Sequence, residues 1–253
     1  TYGYKELSMP PDANGGFKLE KNALHIWPRR SFMMIALPNA DGTFTCTLFW
    51  PFTGPNSFDS LKTEAEVKQF FDETFPDAVP LMPDLVKEFM ENPVGPLVTV
   101  RCSPYYSGDR AVLIGDACHA VVPFYGQGMN AAFEDCTYLN QALQEKGSIA
   151  EAFKTFGDER HEHANALADL ALHNFVEMRD NVGSQGFLLK KGFERILTRL
   201  FPRSFTPLYT MVSFSRIPYA DARRKAAKQD RLVLQIGVIL VMIFALLVFL
   251  FVR

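Results

Sequence analysis

A chain of 253 residues that is 48% hydrophobic and 21% charged has the apolar surface for a packed core, in one large domain or two modest ones, which excludes a disordered chain. With 26 Lys and Arg against 28 Asp and Glu the formal net charge is −2, and no basic patch interleaves with aromatics, so nothing points to a nucleic-acid partner. The 23 Phe are an unusually high number; many must be core, and a pocket for an aromatic ligand could draw on the same supply. Cys46, Cys102, Cys118 and Cys136 form no CxxC pair and lie in apolar or strand-like surroundings, which predicts free buried thiols in a reducing compartment. No signal peptide is evident, and "TYGYKELSMP" begins without an initiator Met, so a portion of a longer polypeptide is expected.

The N-terminal part reads as β structure. Two apolar, aromatic runs, "HIWPRRSFMMIALPN" (25–39) and "GTFTCTLFWPF" (42–52), are separated by "ADG", and Asp41-Gly42 is a hairpin signal. Phe44, Cys46, Leu48 and Trp50 share one face and Thr45, Thr47 and Phe49 the other, so one face should cover a core while the other is available to a pocket. Thr63 and Glu66 have the spacing of a capping box, and Val67, Phe70 and Phe71 make an apolar helical stripe. "DLVKEFMEN" (84–92) predicts a short helix among Pro80, Pro83, Pro93 and Pro96. "LVTVRC" and "AVLIG" predict strands, the second apolar enough for burial on both faces. Helices are predicted over 128–146, 148–182, 187–200 and 207–228, with no internal repeat.

From Leu232 to Val252 only Gln235 is strongly polar in 21 positions. A helix of that length spans roughly 30 Å, the thickness of a bilayer core. A C-terminal transmembrane helix in the lipid bilayer is therefore expected. Arg223, Arg224, Lys225, Lys228 and Arg231 precede it against Asp221 and Asp230, which places the folded part on the cytosolic side.

The stretch "GDACHAVVPFYGQGMNAAFED" (115–135) carries the chemistry. A strand ending in Gly-Asp places the Asp116 carboxylate where the chain leaves a sheet, the usual ligand position in α/β folds, and there it can accept hydrogen bonds from sugar-like hydroxyls. Pro123, Gly126, Gln127 and Gly128 then lead into a helix whose free N–H groups and positive dipole suit an anionic or electron-rich ligand edge. Met129 and Asn130 lie in its first turn. "GQGMNA" matches GxGxxA formally, but "VVPFY" separates it from the strand, so it is not a dinucleotide fingerprint.

With these residues in view, "VLIGDACHAVVPFYGQGMNAAFEDC" resembles the second flavin-binding motif of the single-component, FAD-dependent aromatic hydroxylases. The strings "GYKEL", "HIWPR", "FMMIALPN", "FTCTLF", "FPDA", "HNFVEMR" and "PLYTMVSFSRI" narrow the resemblance to the subfamily acting on L-kynurenine, over about residues 3–219. It implies a mixed α/β and α+β fold: a substrate-binding β-sheet with helices over 1–105, the second part of an FAD-binding domain over 106–146, a helical region closing the substrate pocket over 147–229, and the transmembrane tail anchor over 230–253. It implies that Asp116 binds the FAD ribitol and that Pro123, Gly126, Gln127, Gly128, Met129 and Asn130 pass beside the isoalloxazine. Asn174 and Tyr209 would hold the amino-acid end of the substrate, with Phe44, Phe124 and Tyr125 about its ring. The implied reaction reduces FAD with NADPH and uses O2 to hydroxylate L-kynurenine to 3-hydroxykynurenine, at the mitochondrial outer membrane.

The departure from that family lies at the N-terminus. The chain has no strand–GxGxxG–helix for the ADP half of FAD and lacks the family's substrate arginine and tyrosine, so it reads as the C-terminal part of a longer enzyme or one piece of a complex, inactive without the N-terminal part. Two further readings stand beside it: a related flavin monooxygenase or reductase for another hydrophobic substrate, and a non-catalytic tail-anchored remnant. No metal site is expected. His161 and His163 point about 200° apart on a helix and read as solvated surface. His119 and His173 read as packing or capping residues, and adjacent Glu134 and Asp135 do not form a paired-carboxylate site.

Overall fold

The computed structural model describes residues 1–181, 185–202 and 204–251, with the backbone alone at 181, 185, 187–190, 240, 241, 244–247 and 249–251. The chain divides into two compact units, 1–98 with 175–188 and 99–174 with 189–253, so the stretch 147–229 contributes to both.

The first unit is built on an antiparallel five-stranded sheet. Its strands are β1 (Tyr2–Met9), β2 (His25–Pro28), β3 (Met33–Pro38), β4 (Phe44–Pro51) and β5 (Gly95–Pro96), in the order β2-β3-β4-β1-β5. The run 25–39 is two strands rather than one, because Arg30 turns the chain at φ 62°. The next turn follows the hairpin signal: Asn39 N donates to Thr43 O at 2.8 Å, and Gly42 sits at φ 86°. Phe44, Cys46, Leu48 and Trp50 are all fully buried, as the alternation predicts. They pack with Leu7, Met9 and Met34 against α1 (Glu64–Thr74) and α2 (Leu85–Glu91) through Val67, Phe71, Leu85 and Phe89. The capping box forms: Thr63 Oγ1 accepts from Glu66 N at 3.3 Å, and Glu66 accepts from Thr63 N at 2.9 Å.

Strand β1 carries no clear sequence signal, because its buried side reads Gly3, Lys5, Leu7, Met9. Lys5 belongs there because its Nζ donates to Phe89 O and Asn92 O, at 2.5 and 2.7 Å, where the last carbonyls of α2 lack helical partners.

The second unit contains a two-residue ladder of β6 (Tyr106–Ser107) and β7 (Ala111–Val112) and the helices α3 (Asp116–His119), α4 (Gly128–Glu145) and α5 (Ile149–Val176). Both expected strands here need correction. "LVTVRC" joins no ladder, although Val100 N reaches Ala120 O and Cys102 N reaches Cys118 O. "AVLIG" pairs only at Ala111 and Val112, and Leu113 and Ile114 are each 40% exposed instead of buried on both faces, since no strand flanks them among the described residues. α5 belongs to this unit as far as Asn174 and continues into a π-helical turn at Glu177–Asn181; residue 182, its expected end, lies outside the described residues.

The helix α6 (Gln185–Leu200) follows, and the single helix expected over 207–228 is two, α7 (Leu208–Phe214) and α8 (Tyr219–Phe251). Ser215 is extended, and Pro218, which has no N–H to donate, opens the next helix. Among the described residues no helix is long and apolar enough to cross a membrane. The expected span from Leu232 falls in α8, partly on residues described by their backbone alone, and Val252 lies outside the described residues. Two of the arginines before it are engaged elsewhere: Arg223 pairs with Asp169 at 2.7 Å, and Arg224 with Glu162 and Asp221.

Candidate functional site

The loop from Gly115 to Asn130 is held by a carboxylate on the buried face of α4. Gly115 has φ 61° and ψ −145°, a conformation open to glycine and closed to other L-residues. Its N–H donates to Asp135 Oδ2 at 2.8 Å, and His119 Nε2 bonds the same oxygen at 2.5 Å. Arg160 Nε donates to Asp135 Oδ1 at 2.7 Å, and its Nη2 donates to Ala131 O at 3.2 Å. Burial works to raise the Asp135 carboxyl, but the bonds from His119 and Gly115 and the Arg160 charge outweigh it and hold the group below the usual carboxylate range.

Asp116, next in the chain, is exposed. After the 3-10 turn Pro123–Tyr125, Gly126 turns left-handed at φ 63°, and Gln127 leads into α4. No side chain caps that helix start, so its first N–H groups stay available, while Gln127 Oε1 accepts from Asn130 Nδ2 at 3.1 Å. Met129 is 70% exposed. A Cβ built at Gly126 meets nothing within 4 Å, and one built at Gly128 meets only Val121 Cγ2 at 3.8 Å. The fold leaves this rim open, and at Gly128 it gives no packing reason of its own for a glycine. Pro123, Gly126, the half-buried Gly128, Met129 and Asn130 thus form an open ledge where the chain enters α4, with Gln127 buried among them, and Asp116 is exposed at the start of α3.

Four of the five predicted substrate residues meet in the same unit. Phe124 and Tyr125 are buried, Asn174 Nδ2 donates to Phe124 O at 2.6 Å, and the Tyr125 ring stacks on Tyr209 with centroids 5.7 Å apart. Tyr209 is half-exposed and also meets Phe214 edge-on. Phe44 is the exception and a correction. It is fully buried on the helix-covered face of the sheet, against Phe17 and His25, so it belongs to the core of the first unit.

The other corrections concern residues set aside. Asp135 and Arg160 carried no role in the sequence reading, yet both are buried ligands of one network. Their signal was an acid in register with buried Ala131 and a cation in register with buried Phe156 and Ala164. His163 is 9% exposed rather than solvated, and burial, followed by the Arg160 charge, lowers its pKa. His161 is half-buried against Tyr105, and His173 is exposed. All four cysteines are free, but Cys136 is exposed.

Cys118, His119 and Asp135 lie close enough together to hold a metal ion, with ligand atoms within 4.8 Å. In this structure their polar atoms are bonded within the protein, Cys118 Sγ to Gly115 O and the Asp135 carboxylate to His119, Gly115 and Arg160. Burial, helped by the Asp135 charge, pushes the Cys118 thiol up to about 12, and the Arg160 guanidinium already supplies the positive charge.

The fold is that of solved flavoproteins. It matches Klebsiella pneumoniae HpxO complexed with FAD and uric acid at TM-score 0.56 and 18% identity, over 79% of this chain and 50% of that one. It matches Pseudomonas aeruginosa pqsL, described as a probable FAD-dependent monooxygenase, at TM-score 0.55 and 17% identity, over 74% and 51%. The chain belongs to the FAD binding domain family, whose model matches residues 30–171. It is 48% identical to the kynurenine 3-monooxygenase of Myxococcus xanthus over 93% of this chain and 51% of that protein. It is 50% identical to that of Salinispora tropica, over 93% and 52%, and 49% identical to that of Dictyostelium discoideum, over 88% and 51%. The chain thus spans about half the length of the curated relatives it matches.

Proposed function

We propose that this chain supplies the ribitol and isoalloxazine side of an FAD site, and part of the aromatic substrate pocket, in a monooxygenase that hydroxylates L-kynurenine to 3-hydroxykynurenine with NADPH and O2. The observation that carries this reading is the convergence, in one unit, of the exposed Asp116 and the open ledge at Gly126–Asn130 with the cluster of Phe124, Tyr125, Asn174 and Tyr209. The residues present fit the cofactor: an exposed carboxylate for sugar hydroxyls, an uncapped helix start and two glycines with open space beside them.

When bound, FAD supplies the redox chemistry. The chain's own work is to bind and orient. Asp116 would accept hydrogen bonds from the ribitol, and the N–H groups and positive dipole at the start of α4 would favour an electron-rich edge of the isoalloxazine. Tyr209 and Asn174 orient the polar end of the substrate, and the buried Phe124 and Tyr125 exclude water. The ADP side of FAD, and an arginine for the substrate carboxylate, come from the N-terminal part of the same enzyme. The apolar run from Leu232 to Val252 supports a bilayer anchor with the folded part facing the cytosol, and the outer mitochondrial membrane is the proposed location.

The test uses the full polypeptide that carries this chain. Kynurenine-stimulated NADPH oxidation with 3-hydroxykynurenine as product is expected, and a purified polypeptide without flavin absorbance would sink the reading. Replacing Asp116 with Ala should weaken FAD binding by about tenfold or more, the scale of a lost hydrogen bond to a charged group, read as flavin lost on gel filtration.

A further inference from the structure

We propose that Asp135 is the positioning residue of the flavin loop: it fixes Gly115, and through Gly115 the direction in which Asp116 presents its carboxylate to FAD. The inference rests on the flavin reading above and adds to it a residue in the next helix, 20 residues on from Gly115. α3 is a single turn of four residues, too short to hold its shape alone. Both of its ends are tied to one carboxylate, the Gly115 N–H before it and His119 at its last position. Arg160 holds that carboxylate from the other side, with its Nε on Asp135 Oδ1, and binds α4 through Ala131 O and through Glu134 Oε2 at 3.2 Å.

Asp135 has no exposed surface and Arg160 1%, so no water substitutes for these bonds. Gly115 occupies a conformation that ordinary residues avoid, and the hydrogen bond to Asp135 restrains it where the side chain of the next residue is aimed. Asp135 therefore acts on the cofactor without touching it.

An amide at this position keeps the shape but offers one acceptor oxygen and two N–H donors. One of the three donors that now converge on the carboxylate must then face another donor. In the full polypeptide Asp135→Asn is expected to raise the FAD Kd about tenfold or more, to shift the visible circular dichroism of the bound flavin, and to lose amide-exchange protection at 115–119 in the FAD-free protein. His119→Gln, which retains an N–H donor, should keep most of the affinity.

A folded Asp135→Asn protein with unchanged Kd and protection overturns the proposal, provided Asp116→Ala weakens FAD binding in the same assay. If Asp116→Ala also leaves the Kd unchanged, the flavin reading of this loop fails and takes the proposal with it. Should Asp135→Asn not fold, Arg160→Lys reads the same link. It keeps the charge but cannot reach both Asp135 and Ala131, so it should raise the Kd several-fold, and an unchanged Kd again overturns the inference.

Discussion

Lys5 shows how a single side chain can place a strand. Its ammonium is buried because the end of α2 leaves carbonyls with no helical partner. Lys5→Met removes both donors and should destabilise the fold by about 1–3 kcal/mol, the cost of stranded buried carbonyls, measured by urea denaturation. Burial holds the Lys5 pKa below 10.5. Just below pH 10.5 the unfolded chain then binds more protons, so the contribution of this group to stability rises with pH in that window. The thiols run the other way. Burial pushes Cys46 and Cys118 up from 9.0 to about 12, so the folded state keeps protons that the unfolded state has released, and stability falls as pH climbs above 9. In the native protein a thiol reagent should label exposed Cys136 first, with Cys46 and Cys118 reacting only on denaturation. Rapid labelling of all four would contradict the buried positions. Placement was legible where it was local: Gly126 and Gly128 have open space beside them and Asp116 is exposed. Asp135 and Arg160 were hidden because their partners are 20 and 25 residues distant in sequence, and their meaning lies in burial that no local pattern displays.

Elements with their own punctuation were readable. The Thr63–Glu66 box opens α1 as expected, and Asp41-Gly42 closes the β3–β4 hairpin. Elements defined by a neighbour were not. "AVLIG" looks like a buried strand, yet a strand needs a partner along its length, and this one has a partner for two residues. β1 was overlooked because a lysine stands where the alternation calls for an apolar side chain. Pro218 was the available signal for the break between α7 and α8, since proline opens a helix more readily than it continues one. The first unit relies most on its aromatic layer. Phe71 is 1% exposed and meets Phe70, Phe75 and Phe89. Phe71→Ala should cost about 3–5 kcal/mol, seen as a lower denaturation midpoint; a change under about 1 kcal/mol would mean that the layer collapses to fill the space.

At the scale of the molecule, the chain matches about half the length of its curated relatives, and on the reading proposed above its residues supply part of a site. On the proposed anchor the full polypeptide should sediment with membranes and a version without 232–253 should stay in the supernatant; a full polypeptide found in the supernatant would sink the anchor. The open space beside Gly128 bears on the stability of the whole protein. The empty fold does not require a glycine there, and Gly128→Ala should leave it unchanged or raise its stability by up to about 1 kcal/mol, since alanine loses less chain entropy on folding. On the flavin site proposed above, a methyl group on that ledge would stand in the way of the cofactor, and each tenfold loss of affinity removes about 1.4 kcal/mol of ligand-linked stability at saturating cofactor. The same substitution should therefore raise the melting temperature of the stripped protein and lower that of the loaded one. Such a crossing of melting curves would mark position 128 as one whose residue is dictated by the guest rather than the host.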